Sequence, residues 1–314
     1  MVQSSRMSKP SVARARAKPV IREHKIPTSD SKPYIAVEGQ DGNLWFCENG
    51  AGKIGRFDPH ADSFREFALP DRQSAPVGIA AGAYGNLWFT EKAANRVGRI
   101  TLDGVIAEFP LPTAKSGPDG IALGPDGNIW FSQGDADRIA RVMPDGRVTE
   151  FGAGMTPGSK PLSIVVRDGA LWFSEAGGSR IARMTLDGNI TEFPIPSADS
   201  QPRAMALHLD GSIWFVETGA NALGRIDRDG EITEFAIPTP DASARSVAVT
   251  SDGNLWFTEN FANKIGRMDA NGVMIDEYQI PTLASGARCI TAMSDGRLYF
   301  TQYDVGLIGE IVPQ

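Results

Sequence analysis

Pro118-Asp-Gly-Ile-Ala-Leu-Gly-Pro-Asp-Gly-Asn-Ile-Trp-Phe-Ser-Gln133 decides the fold, together with the phrases that follow it: Arg138-Ile-Ala-Arg-Val142, Pro144-Asp-Gly146 and Arg147-Val-Thr-Glu-Phe151. Four short apolar or alternating runs are separated by turn chemistry. Asp-Gly, a dipeptide that tolerates positive φ and suits tight hairpins, stands in two of the three gaps. The same sentence recurs along the chain. Its aromatic anchor falls at Trp45, Trp88, Trp130, Trp172, Trp214, Trp256 and Tyr299, with spacings of 43, 42, 42, 42, 42 and 43. A fixed period of this size means stacked supersecondary units, none able to bury its apolar face alone. Four hairpin-linked strands per unit make one blade of a β-propeller, and no stretch shows capped helical periodicity.

The two ends of the repeat array set the blade number. Leu307-Ile-Gly-Glu-Ile-Val312 matches a third strand such as Lys264-Ile-Gly-Arg-Met268. The fourth-strand phrase of that unit stands at the other end, where Ile21-Arg-Glu-His-Lys-Ile-Pro27 matches Ile190-Thr-Glu-Phe-Pro-Ile-Pro196 at a constant offset of 169. The expectation is an all-β, seven-bladed propeller of four-stranded blades over residues 20–314, a single domain. The N-terminal strand pairs into the last blade, so the ring closes and no sheet edge is left open.

Charge and composition narrow the partners. Residues 1–22 hold Arg6, Lys9, Arg14, Arg16, Lys18 and Arg22 and no acid, leaving 25 basic and 38 acidic residues elsewhere, a net of −13. Residues 1–19 read as a disordered basic tail, without the apolar run of a secretory signal. An acidic propeller disfavours nucleic acid as a partner, and no apolar stretch approaches the ~18 residues a membrane span needs. A cytoplasmic monomer acting on a small molecule is expected. Cys47 and Cys289 fit neither a disulfide framework nor a metal motif and read as buried thiols.

Residues that recur with the period are read as scaffold. Glu48, Glu91, Glu175, Glu217 and Glu259 follow Trp-Phe in five blades, with Gln133 and Gln302 in the other two. Their expected role is structural, and the arginines of the third strands (Arg56, Arg99, Arg141, Arg183, Arg225, Arg267) are their expected partners. His24, His60 and His208 fall on an outermost strand or in hairpins, away from the channel mouth where propellers gather their chemistry. No metalloprotease helix, phosphate loop, Cys-x-x-Cys pair or nucleophile elbow is present.

One slot departs from the template. Each innermost strand opens just after a Pro or Ala, and the next residue is Tyr34, Val77, Asp119, Leu162, Arg203, Arg245 and Arg288 in blades one to seven. This slot is expected to face the axial channel. Three guanidiniums on neighbouring blades repel one another, and solvent, carboxylates or an anionic ligand would relieve that cost. One arrangement is a cradle for an anion or carboxylate, with Tyr34 adding a phenol. The other is a wet channel in which the arginines reach carbonyls or acids. Asp119 could offset one arginine at most.

The phrases Asn86-Leu-Trp-Phe-Thr-Glu91, Ala262-Asn-Lys-Ile-Gly-Arg267 and Thr191-Glu-Phe-Pro-Ile-Pro196 resemble the repeats of the virginiamycin B (streptogramin B) lyases. That resemblance implies a carbon–oxygen lyase that opens a cyclic depsipeptide ester by elimination. In such enzymes a base takes the proton α to the ester carbonyl while Mg²⁺ polarises it. Transferred to this chain, the family's aromatic substrate contact falls on Tyr34. Its substrate-contacting histidine falls on Arg245 and its catalytic base on Arg288, while its two acidic metal ligands fall on Gly286 and Tyr303. Arginine is a poor base near neutral pH, and neither Gly286 nor Tyr303 offers a carboxylate. The expectation is therefore a divergent lyase- or lactonase-like protein without a metal. It would bind a small anionic, ester or lactone ligand through Tyr34, Asp119, Arg203, Arg245 and Arg288. The alternative is a non-catalytic binding platform.

Overall fold

A computed structural model describes residues 19–312; most of the basic tail therefore lies outside the described residues. Within them the chain forms seven four-stranded antiparallel sheets, and its only helical piece is the short 3-10 turn Ala83–Gly85. Blade one runs Pro33–Glu38, Leu44–Glu48, Lys53–Asp58, Ser63–Ala68 from axis to rim, and blades two to six repeat it. Blade seven takes Ala287–Ala292, Leu298–Gln302 and Leu307–Val312 from one end and Val20–Lys25 from the other. Val20 pairs with Val312 and Lys25 with Leu307, so six residue pairs close the ring. Removing residues 1–25 should expose the Leu307–Val312 edge. The expected result is self-association on size exclusion and a thermal midpoint lowered by on the order of 10 °C. An unchanged midpoint would mean that closure contributes little.

The Asp-Gly turns differ in one detail from expectation. At Asp168-Gly169 both residues take positive φ (50 and 72), but in most of these turns only the glycine does, as at Gly127 (φ 76) and Gly253 (φ 77). In those turns the aspartate keeps ordinary backbone and uses its side chain instead. Asp126 accepts from the Asn128 backbone N–H and from the Trp130 indole N–H at 3.0 Å. Asp41 does the same for Trp45 at 3.0 Å.

Each blade's core is completed by its neighbour. Trp214 stacks on Phe235 of its own blade at 5.0 Å between ring centroids and packs with Val247, Leu255 and Phe257 of the next. The same arrangement recurs for Trp88 on Phe109 and Trp256 on Tyr278. This is the physical content of the 42-residue period: the apolar face of one sheet is buried only by the following sheet.

The expected glutamate–arginine partnership is not what the structure contains. Register sets Arg56 opposite Trp45, whereas Glu48 stands opposite Lys53, three rungs away. Arg56, Arg99, Arg141 and Arg267 lie over the Trp rings of their own blades, at 5.9 Å for Arg56 and 5.0 Å for Arg267. Four of the six reach turn aspartates instead: Arg56–Asp41 at 3.7 Å, Arg141–Asp126 at 3.5 Å, Arg225–Asp210 at 3.7 Å and Arg267–Asp252 at 2.8 Å.

The five glutamates are fully buried and face an outer-strand glutamate of their own blade. Burial first, then that neighbouring carboxylate, holds Glu48 up to about 8 beside Glu66 and Glu217 up to about 8 beside Glu234. Burial likewise raises Glu91, Glu175 and Glu259 to about 7, with Glu108, Glu192 and Glu277 as their acidic neighbours. Ser74 near Glu91 and Thr239 near Glu259 pull the proton affinity back but lie outside good hydrogen-bond geometry. The two glutamine blades show what the slot requires. The Gln133 amide donates to Glu150 at 2.9 Å and the Gln302 amide to Glu23 at 3.0 Å. The carboxyl oxygens of the five glutamates find no hydrogen-bond partner, and protonation would give each a donor facing the outer carboxylate as the glutamine amides do. The outer glutamates in turn clasp the preceding blade: Glu192 accepts from Thr156 N–H at 2.8 Å and its hydroxyl at 2.7 Å, and Glu23 does so from Thr282.

Candidate functional site

The variable slot owes its direction to a β-bulge repeated in every innermost strand. Pro202 pairs with Glu217 and Met205 with Phe215, so Arg203 and Ala204 oppose a single residue, Val216. The same shift follows Pro33, Pro76, Pro118, Pro161, Ala244 and Ala287. A bulge re-aims the side chain it carries, here toward the axis. Hydroxyls fix it from blade to blade. Thr90 accepts from Gly78 N–H at 2.9 Å and donates to the Asp119 carbonyl of the next blade at 2.7 Å. Ser132 bridges Gly120 and Leu162, and Thr301 bridges Cys289 and Tyr34. The glycine after the slot is required in blades two and three: a Cβ at Gly78 would stand 2.2 Å from the Asp119 carbonyl oxygen, and one at Gly120 2.1 Å from that of Leu162.

Tyr34, Asp119, Arg203, Arg245 and Arg288 all line one cavity of about 140 Å³ at a channel mouth. Its lining is divided. Blades five to seven contribute the three arginines and Ala204, whereas blades one to four contribute Ile35, Ile79, Ile121, Leu162 and Ile164. None of the three histidines lines it. His24 bridges Asp62 and Glu310, and His208 reaches the Gly253 carbonyl.

The arginines are close enough to feel one another. Burial, then Arg203 and Arg288 on either side, pushes the Arg245 guanidinium down to about 10, so it remains charged at neutral pH. The Nε atoms of Arg203, Arg245 and Arg288 are buried and find no acceptor, and among the described residues no carboxylate lies within ion-pair distance of the three. Asp119 does not offset them. Lys92 takes it at 2.9 Å, and although burial works against the Lys92 ammonium, Asp119 outweighs burial and raises its proton affinity. Arg288 lies 4.0 Å from the Tyr303 ring centroid and 5.1 Å from that of Tyr34, and the two tyrosines meet edge to face at 5.8 Å. Tyr303 donates its hydroxyl to Asn49 at 3.3 Å.

Lys92, Tyr303 and Asn49 therefore belong to the site's surroundings, and a second variable slot could have revealed them. The residue after the Glu/Gln position reads Asn49, Lys92, Gly134, Ala176, Thr218, Asn260 and Tyr303. Those with polar side chains reach toward the following blade, as Asn260 does to the Ala287 carbonyl at 2.8 Å and Thr218 to that of Ala244 at 2.6 Å.

The donor set at the family's metal position does not suit Mg²⁺. Gly286 has no side chain, sits at φ +64, and a Cβ there would fall 2.1 Å from a carboxylate oxygen of Asp304. Tyr303 presents a phenol engaged with Asn49, and the Arg288 cation lies against its ring. A hard dication needs several anionic oxygens rather than a neighbouring guanidinium. Among the described residues no three His, Cys, Asp or Glu side chains cluster as a metal site, and no helix is long and apolar enough to cross a membrane.

The virginiamycin B lyase family model matches residues 4–222 and 113–314 of the chain. A solved streptogramin B lyase is 34% identical, with 95% of this chain and 98% of that one covered and a TM-score of 0.90. Virginiamycin B lyase from Staphylococcus aureus is 35% identical over 95% of this chain and 100% of its own, with a TM-score of 0.89. A catalytically inactive form of the S. aureus enzyme, solved with quinupristin, is 36% identical at the same coverage and a TM-score of 0.90. No curated protein matches in sequence.

Proposed function

The chain belongs to the virginiamycin B lyase family, and from that premise we propose that its axial pocket binds a small anionic or carbonyl-bearing ligand without the family's metal-assisted elimination. One observation carries this reading: three uncompensated guanidiniums converge on one wall of an otherwise largely apolar pocket. Their mutual repulsion is a standing cost of the folded state, and an anion bound among them converts it into attraction. Tyr34 closes the arc beside Arg288 and adds a hydroxyl.

The elimination route lacks its base. Arg245 remains protonated near neutral pH, a guanidinium is in general a poor general base, and Asp119 is held by Lys92. If the pocket does turn over an ester or lactone, the guanidiniums are placed to stabilise an enolate or oxyanion electrostatically.

Two measurements test the reading. Incubation with a type B streptogramin and Mg²⁺ should leave the ring intact by mass spectrometry; a ring-opened product would restore the family's activity. A thermal-shift panel of dicarboxylates, sugar acids and phosphates should raise the midpoint for at least one class, by about 2.7 kcal/mol of added stability at a hundredfold excess over Kd. A flat panel would return the pocket to a solvent channel.

A further inference from the structure

Resting on that anion-binding reading, we infer that the pocket's ligand is an amphipathic phosphoryl compound: a dianionic phosphate monoester head against Arg203, Arg245 and Arg288, with a compact apolar substituent lying on the wall of Ile35, Ile79, Ile121, Leu162 and Ile164.

The head follows from charge and number. Three guanidiniums on consecutive blades share one mouth, and no carboxylate among the described residues neutralises them. A single carboxylate would leave two positive charges unmatched in a partly desolvated site. A phosphate monoester offers two negative charges and three equivalent oxygens, one for each guanidinium, and planar forked donors suit that geometry. The Asp119–Lys92 pair on the far side is internally neutral, so the dianion meets no opposing field there.

The tail follows from the division of the lining. The arginines occupy blades five to seven alone, and the isoleucines and Leu162 occupy blades one to four. A bare ion would leave that aliphatic wall wet. A cavity of about 140 Å³ approaches the ~150 Å³ apolar cavity that holds benzene. That volume is shared with the phosphate head against the arginine wall, so the substituent is no larger than a six-carbon ring.

Calorimetric titration of the unmodified chain with inorganic phosphate, phenyl phosphate and benzoate separates the parts. Phenyl phosphate is expected to bind at least tenfold tighter than either of the others. Its affinity should rise about tenfold as its second ionisation completes, between about pH 5 and 7.5. Leu162→Asn should weaken phenyl phosphate at least tenfold more than inorganic phosphate and so erase the gain of one over the other. Equal binding of phenyl and inorganic phosphate would overturn the apolar wall while sparing the anion site. Benzoate equal to phenyl phosphate would overturn the dianionic head. No binding of any of the three would sink both this inference and the reading beneath it.

Discussion

The thermal midpoint of this protein is expected to fall as pH rises from about 5 to about 9, and replacing Glu48, Glu91, Glu175, Glu217 and Glu259 together by Gln should remove most of that slope. The sign follows from the direction in which burial moves these carboxyls. An unfolded glutamate titrates near 4.5, whereas these five are held up to about 7 or 8. Below pH 4.5 both states hold the proton and the contribution is complete. Above it the unfolded chain releases protons that the folded chain keeps, so stability declines until the folded carboxyls have titrated. The outer glutamates act oppositely. Glu150 and Glu277 are held low, burial opposing and their hydrogen bonds prevailing, so their contribution exists above pH 4.5 and is lost in acid. The optimum is therefore mildly acidic. At about 1.4 kcal/mol for each tenfold change in proton affinity, discounted for relaxation, each site costs about 1–2 kcal/mol at pH 8. The fivefold variant should then melt on the order of 10 °C higher at pH 8. Gln133 and Gln302 already show that an amide makes the required bond. Unfolding curves at pH 5 and pH 8 decide the matter. A variant with the parent's slope would place the pH dependence elsewhere.

Arg245→Met combined with Arg288→Met should abolish ligand-induced stabilisation and yet leave the unliganded protein at least as stable as the parent. Charge and burial oppose each other here. The Arg245 guanidinium is disfavoured by burial and by its two cationic neighbours, and relieving that contributes about 1–2 kcal/mol after allowance for solvent screening. Methionine keeps much of the aliphatic stem that packs the channel wall. Affinity for an anion should fall by ~100-fold or more, since charge-assisted bonds to two guanidiniums are lost. A gain in stability with loss of binding is the signature of a site held under strain for a ligand. Loss of stability with binding retained would mean that the arginines are scaffold.

Much of the architecture was legible because a propeller is local information repeated. The Trp-Phe anchors, the turns and the offset between Ile21-to-Pro27 and Ile190-to-Pro196 gave seven blades and the closing strand. Hairpin pairing depends on neighbours in sequence, and the blade interface depends on a period. The five slot residues were legible for a related reason: against a constant template, a local departure stands out.

Tertiary structure alone decided the rest. Periodicity could name Glu48 and Arg56 as recurrent but not as partners, because register carried Arg56 to Trp45 and Asp41 and left Glu48 facing another acid. Nor could spacing show that Lys92 of blade two takes Asp119 of blade three, or that Tyr303 stacks on Arg288. Such contacts join different blades across the bulged mouth of the ring, where separation is set by the radius of closure and the aim of each bulge rather than by distance along the chain.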